Sequence, residues 1–187
     1  MFLLAVTLAA SAGAAVLPAD CAVDRAAAMA LDETAFDQGA DGWRRLARPG
    51  CFIAAADLIA AYRAAHPGHG AMLNFHEAQM RAAGGDYALA APLFEAARSG
   101  ENEWRVDTGW NDYVAASVAF VRRDLASLKA HRERLATLPP PPLQPQVAAA
   151  ARAEPIPEGW PYNLDVVDRL VACFDKPYAE AMSGCRD

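Results

Sequence analysis

The sequence lacks the features that identify several common classes of protein. It has no excess of basic residues, since its formal net charge is −6 at pH 7, whereas binding to nucleic acid or anionic lipid needs a basic face. It has no glycine-rich phosphate loop, no Gly-x-Ser-x-Gly motif and no paired acidic motif. No stretch alternates apolar and polar residues in the manner of a strand. These absences argue against a nucleic-acid-binding protein, a recognisable enzyme and a β-sheet domain.

The N-terminal segment 1–19 carries no charge and is almost entirely small or apolar. The apolar run is short for a membrane span and ends in small residues, with candidate signal peptidase sites at 12–14 and 17–19. No basic residue follows Met1, so either the true start lies upstream or the signal is atypical. We expect a signal peptide and a periplasmic or secreted protein; the alternative is a buried N-terminal helix of a cytosolic protein. No later segment is expected to cross a membrane.

The four cysteines, Cys21, Cys51, Cys173 and Cys185, are far apart in sequence. In an oxidising compartment an even number suggests two disulfides, and four cysteines leave three connectivities open. Proximity in sequence favours Cys173–Cys185 and Cys21–Cys51. The alternatives are a metal site, although zinc sites usually use cysteine pairs two to four residues apart, and a nucleophilic thiol, although no cysteine lies in a recognisable catalytic setting.

Alanine-rich segments with helical periodicity fill the interior and predict an all-α protein. One helix is expected to start near Cys51 and to stop before His66, and another to run from about Ala71 to Ala83. Asp86 should cap the next helix and Asp124 a later one. The helix after Asp86 is expected to turn these side chains inward: Leu89, Ala90, Leu93, Phe94 and Ala97.

The turns before three of these helices can be aligned, with Cys51, Asp86 and Asp124 separated by 35 and then 38 residues. The spacing is near that of the tetratricopeptide repeat. The chain resembles that family most closely over Gly85, Asp86, Tyr87, Ala90, Phe94 and Ala97, and less closely at Ala55, Ile59, Tyr62 and Pro67. It departs at Pro92, which falls inside a helix, and at Arg132, which replaces a core residue. The resemblance implies an α-α superhelix of about three helix pairs that holds a partner on its concave face.

The chain is expected to divide into four parts. A signal peptide at 1–19 precedes a repeat domain at 20–138. A proline-rich spacer at 139–162 then packs on that domain. Residues 163–187 are expected to form two capping helices, with Asn163 capping the first, Pro177 starting the second and Cys173–Cys185 joining them.

Two groups of side chains are candidates for ligand binding. His66, His69, His76 and Glu77 are weak candidates for a metal or small-ligand site; the alternative is that His76 packs between helices and the other two histidines lie in a solvated turn. Among the aromatic residues, Trp104, Trp160 and Tyr162 are placed in loops, where exposed rings often contact a partner. Trp160 could instead fold back and fix the spacer.

Basic side chains are a further candidate for ligand binding. The run Arg44, Arg45 and Arg48 and the pair Arg122 and Arg123 are either solvated charges near helix ends or a clamp for an anion or the carboxylate of a peptide end. Together the observations predict a non-enzymatic scaffold without a cofactor that binds a peptide, a protein or a cell-envelope component. The alternative is a periplasmic small-ligand or metal-binding protein that uses the region from His66 to Glu77.

Overall fold

The computed structural model describes residues 21–100, 108–140 and 159–185, and these residues contain ten helices and no strand. The expected all-α class is therefore confirmed. The helices are α1 (Arg25–Met29), α2 (Glu33–Gln38), α3 (Arg44–Ala47), α4 (Phe52–Ala65), α5 (Ala71–Ala83), α6 (Tyr87–Ala96), α7 (Trp110–Val121), α8 (Leu125–Ala136), α9 (Leu164–Ala172) and α10 (Tyr178–Ser183).

Helices that follow one another in sequence pack against one another from α3 to α8. Their starts follow from local chemistry, since the carboxylates of Asp86 and Asp124 accept hydrogen bonds from the backbone N–H groups of Leu89 and Ser127. Such caps satisfy amide groups that have no partner within the helix. Sequential packing of this kind is what stacked helix pairs produce, and the regular tetratricopeptide-like superhelix stays a prediction.

Two clusters of buried side chains form the core, and α5 contributes to both. Leu73 of α5 joins an N-terminal cluster that includes Phe36 and Tyr62, whose rings stack with centroids 3.8 Å apart. Phe75 of α5 joins a larger cluster that includes Phe94. Because successive residues of one helix point in different directions, α5 is buried on several sides and joins the two halves of the molecule.

The C-terminal helices pack back onto the preceding ones. Helix α9 contacts α7 and α8, as a terminal cap would, and α10 reaches further back to α5. The backbone N–H of Tyr178 donates to the hydroxyl of Tyr87 at 3.0 Å, and the Tyr178 ring lies 5.6 Å from that of Phe120. The hairpin therefore covers part of the surface of α5 as well as the end of the helix stack.

The structure contains both of the disulfides that sequence proximity favours. Cys21 is bonded to Cys51 with their Cα atoms 5.5 Å apart, and Cys173 to Cys185 with theirs 5.9 Å apart. The first joins the N-terminal arm to the residue before α4, and the second closes the hairpin of α9 and α10. Two disulfides are consistent with an extracellular or periplasmic protein.

Two local expectations are wrong. Leu89 does not face inward, because 50% of its surface is exposed; the buried side of α6 is formed by Ala90, Ala91 and Phe94, and Leu89 lies about 100° away from Ala90 on the helix. Asn163 does not cap α9 with its side chain, because it adopts a left-handed backbone conformation with φ of 65° and makes no capping hydrogen bond.

Some expectations fall on residues outside the described ranges. They are the signal peptide at 1–19, Trp104 and the greater part of the proline-rich spacer, 141–158. Within the residues that are described, no helix combines the length and the apolar character needed to cross a membrane.

Phe94 gives a direct test of the helix register. It is fully buried between α6 and its neighbours, so Phe94→Ala should lower the free energy of unfolding by about 3–5 kcal/mol, because it removes a large core side chain and leaves a cavity. Leu89→Ala on the same helix is the matched control and should cost under about 1 kcal/mol, since Leu89 is half exposed. Urea unfolding of both variants measures the difference, and equal losses would contradict the register.

The C-terminal disulfide should stabilise the oxidised protein. The bonded cysteines are 12 residues apart, and closing a loop of this size contributes about 2–4 kcal/mol when the bond is unstrained. We therefore expect the double variant Cys173→Ser, Cys185→Ser to lose about that much in urea unfolding and to become less sensitive to added reductant. Peptide mapping without reductant checks the pairing, and Cys173 joined to Cys21 or Cys51 would show that it is wrong.

Candidate functional site

A groove of about 520 Å³ lies between α3, the start of α4, α5 and α10. Its residues come from distant parts of the chain, because α10 packs onto α5 across the surface beside α3. Most of the side chains are apolar, two are arginines and none of those described is a carboxylate. The lining consists of Trp43, Arg44, Ala47, Arg48, Phe52, Gln79, Met80, Ala83, Tyr178, Ala179 and Met182.

Asp37, at the end of α2, holds the first wall of the groove in place. Its Oδ1 accepts hydrogen bonds from the indole N–H of Trp43 at 3.0 Å and from Nδ1 of His76 at 2.6 Å. Its backbone carbonyl accepts from Nε of Arg44 at 2.6 Å. The Arg44 guanidinium lies over the Trp43 ring, 4.3 Å from its centroid, a cation–π contact. One residue outside the groove thus fixes both an aromatic and a cationic residue of its wall.

The carboxyl of Asp37 is buried but ionised. Only 6% of the residue is exposed, and burial raises the pKa of this carboxyl. The hydrogen bond and charge of His76, together with the hydrogen bonds from Trp43 and Gln38, oppose burial and bring the pKa of Asp37 below its ordinary value. Hydrogen bonds to the charged form stabilise a buried carboxylate in this way.

Helix α10 forms the opposite wall. Tyr178 starts this helix and lies almost fully buried, with its ring near those of Phe94 and Phe120. Burial raises the pKa of the Tyr178 phenol well above its ordinary value, so the ring stays neutral at physiological pH. The disulfide between Cys173 and Cys185 joins the end of α9 to the chain just after α10, so that it brackets α10. The groove therefore has a fixed wall on each side.

The basic run on α3 is divided between two surfaces. Arg44 and Arg48 are four residues apart and line the groove. Arg45 lines a different depression, together with Ala28, Leu31 and Asp41. Helical geometry causes the division, because residues four apart share a face and the next residue lies about 100° away.

Arg122 and Arg123, the second basic candidate, do not lie at the groove, and the two side chains have different partners. Arg122 lies 3.5 Å from a carboxylate oxygen of Glu95. The Arg123 guanidinium lies 4.4 Å from the centroid of the Phe174 ring and 5.4 Å from that of Phe120, so it helps to pack the end of α7 against the C-terminal hairpin.

The four candidate metal ligands lie in three different places. Glu77 is buried and paired with the guanidinium groups of Arg63 and Arg81. His69 accepts a hydrogen bond from Arg63, and the His66 ring stacks on Tyr62 with centroids 4.0 Å apart.

His76, the fourth candidate, bonds Asp37 instead. His66 and His69 do line a common depression, but Glu33 beside them already accepts the backbone N–H of Gly70. Within the described residues no group of three His, Cys, Asp or Glu side chains could hold a metal ion.

The loop aromatics that the structure describes pack beside the end of α8. The indole N–H of Trp160 donates to the carbonyl of Leu138 at 3.1 Å, so this ring folds back and ties the C-terminal part of the spacer to the end of α8. The rings of Trp160 and Tyr162 meet edge to face at 5.2 Å, and 40% of Tyr162 is exposed.

Sequence reasoning missed two Asp–His pairs. Asp37 and His76 are 39 residues apart in sequence, and Asp112 on α7 accepts hydrogen bonds from both His131 and Arg134 on α8. No motif marks either pair, since each forms only when separate helices pack.

An aspartate that orients a histidine also occurs in catalytic sites. In the described structure, however, no Ser, Thr or Cys side chain is bonded to either histidine. Each pair links two helices, α2 to α5 and α7 to α8.

A comparison of the chain with family models, curated proteins and solved structures found no match to any of them.

Asp37 gives a pH-dependent test of the polar network. A carboxyl whose pKa is lowered in the folded state contributes stability above its unfolded pKa of about 3.9, and this contribution is lost as the pH falls through the folded value. Asp37→Asn should therefore cost about 1–3 kcal/mol at neutral pH, and the difference from wild type should shrink as the pH falls below about 4. Urea unfolding across the acid range measures it, with Asp41→Asn as an exposed control. A difference that does not change with pH would contradict the assignment.

Proposed function

We propose that this protein is an exported, non-enzymatic binding protein that holds a peptide or protein segment in the groove between α3, α5 and α10. The observation that carries the proposal is the groove itself, a concave and mainly apolar surface formed by residues at α3, α4, α5 and α10. Ligand sites are typically concave, largely preformed and apolar, with a few polar groups that fix orientation.

The proposal of export is supported by the two disulfides, since such bonds persist in oxidising compartments, and by the apolar segment 1–19. The proposal of a tetratricopeptide-like helix stack is supported by the order in which the helices pack from α3 to α8 and by the spacing of the three aligned turns. In such stacks the concave side is the usual binding surface.

The structure favours the groove over the region from His66 to Glu77 as the place for a ligand. Glu77 is occupied by two arginines, and His76 is directed to Asp37. Displacing these partners would leave buried charges unpaired, which is costly. The groove, by contrast, can receive a ligand without breaking an ion pair that the described residues form.

Filling the groove should weaken binding. The test selects binders from a random peptide library on the oxidised full-length protein and then measures the affinity of the selected peptides for two variants. Ala83→Phe and Ala179→Phe each add a ring from a different wall, and each should weaken binding by about tenfold or more, which is about 1.4 kcal/mol. Ala130→Phe, on an exposed part of α8 outside the groove, is the matched control and should bind as wild type does.

Two outcomes would contradict the proposal. One is that no peptide is enriched over a surface without protein. The other is that enriched peptides bind both groove variants as tightly as the control. Thermal unfolding of the three variants shows whether the added rings leave the fold intact.

A further inference from the structure

Arginine side chains in the described structure fall into two groups. Seven of them form an ion pair with a carboxylate, and these are Arg63, Arg81, Arg98, Arg122, Arg132, Arg134 and Arg169. The other five described arginines form none; two of these, Arg25 and Arg123, lie apart from each other, and the remaining three lie together at α3. Within the described ranges, no carboxylate approaches Arg44, Arg45 or Arg48 to 4.0 Å. In a chain whose net charge is −6, this helix is a local concentration of positive charge.

Of the three arginines at α3, Arg44 is the one whose side chain has protein partners that fix its orientation. Its Nε donates to the carbonyl of Asp37 and its guanidinium lies on the Trp43 ring, so the side chain is held in one orientation and is only partly exposed. No further hydrogen bond from this guanidinium is present among the described residues. A guanidinium presents five N–H donors in a planar fork that matches a carboxylate, and the fork of Arg44 has donors left for a ligand.

The other residues of the groove indicate which groups a ligand would carry beside a carboxylate that binds Arg44. Arg48 adds a second cation on the same face of α3, while Phe52, Met80 and Met182 supply apolar contacts around them. The described lining contains no aspartate or glutamate that would repel an anion. A ligand that complements this surface carries a carboxylate next to an apolar side chain.

We propose, on the basis of the proposed function, that the groove selects acidic peptide segments, with a carboxylate bound by Arg44 and Arg48 and a neighbouring apolar side chain packed between α5 and α10. Charge-assisted hydrogen bonds from a fixed guanidinium are stronger than neutral ones. A partly desolvated pair of this kind contributes to both specificity and affinity.

The arrangement of α3 provides a matched pair of variants. The double variant with Arg44→Ala and Arg48→Ala removes both cations of the groove. The double variant with Arg45→Ala and Arg25→Ala removes the same amount of charge from residues outside the groove. Both double variants change the net charge of the protein equally, so a general electrostatic effect would act on both.

The experiment uses arrays of randomised peptides in three pools, acidic with apolar residues, neutral with apolar residues, and basic with apolar residues, on the oxidised full-length protein. We expect the acidic pool to bind best. Its affinity should fall by about tenfold or more for the double variant of Arg44 and Arg48. Its affinity for the double variant of Arg45 and Arg25 should equal that for wild type. Raising the salt concentration should weaken the acidic pool most, since ionic attraction is screened.

Three results would overturn the inference. In the first, the neutral pool binds as well as the acidic pool, and Ala179→Phe abolishes this binding whereas the double variant of Arg44 and Arg48 does not. The groove then binds peptides, but the proposed selectivity for acidic ones is wrong. In the second, Ala179→Phe abolishes the binding of none of the three pools, and the proposed function is then wrong as well. If wild type self-associates, and Arg44→Ala, Arg48→Ala alone prevents it, the acidic surface of a second copy is the occupant.

Discussion

The buried carboxylate of Asp37 is the constraint on which the N-terminal half of the structure depends. An ionised group with so little access to water is stable only when several donors point at it, and three side chains do so, from Gln38, Trp43 and His76. Satisfying this one charge brings the end of α2, the start of α3 and the first half of α5 together. The position of Arg44 follows, because the backbone carbonyl of the same residue receives its Nε.

Local features of the fold could be predicted from the sequence, because their causes lie within a few residues. The capping carboxylates of Asp86 and Asp124 act three residues ahead, and the burial of Phe94 follows from helical periodicity. Leu89 was mispredicted because an apolar residue next to a buried face looks the same in sequence whether or not a neighbouring helix covers it. Asn163 was mispredicted because its preference for caps competes with its tolerance of the left-handed conformation.

The candidate site was less predictable, since its parts meet only through tertiary packing. The basic run at α3 was visible in the sequence, but the division of Arg44 and Arg48 from Arg45 depends on which face of that short helix is covered. The role of Asp37 depends on His76, 39 residues later in the chain. The second wall depends on α10 returning to α5, and Tyr178 meets Tyr87 across 91 residues of sequence.

The two disulfides have a common relation to the groove. Cys51 immediately precedes Phe52, which lines one side, and Cys173 and Cys185 bracket α10, which forms the other. A wall that is already fixed loses little conformational entropy when a ligand binds, and this lowers the cost of binding. Short helices such as α3 and α10 would be marginal on their own. The oxidised state therefore bears on the shape of the groove as well as on global stability.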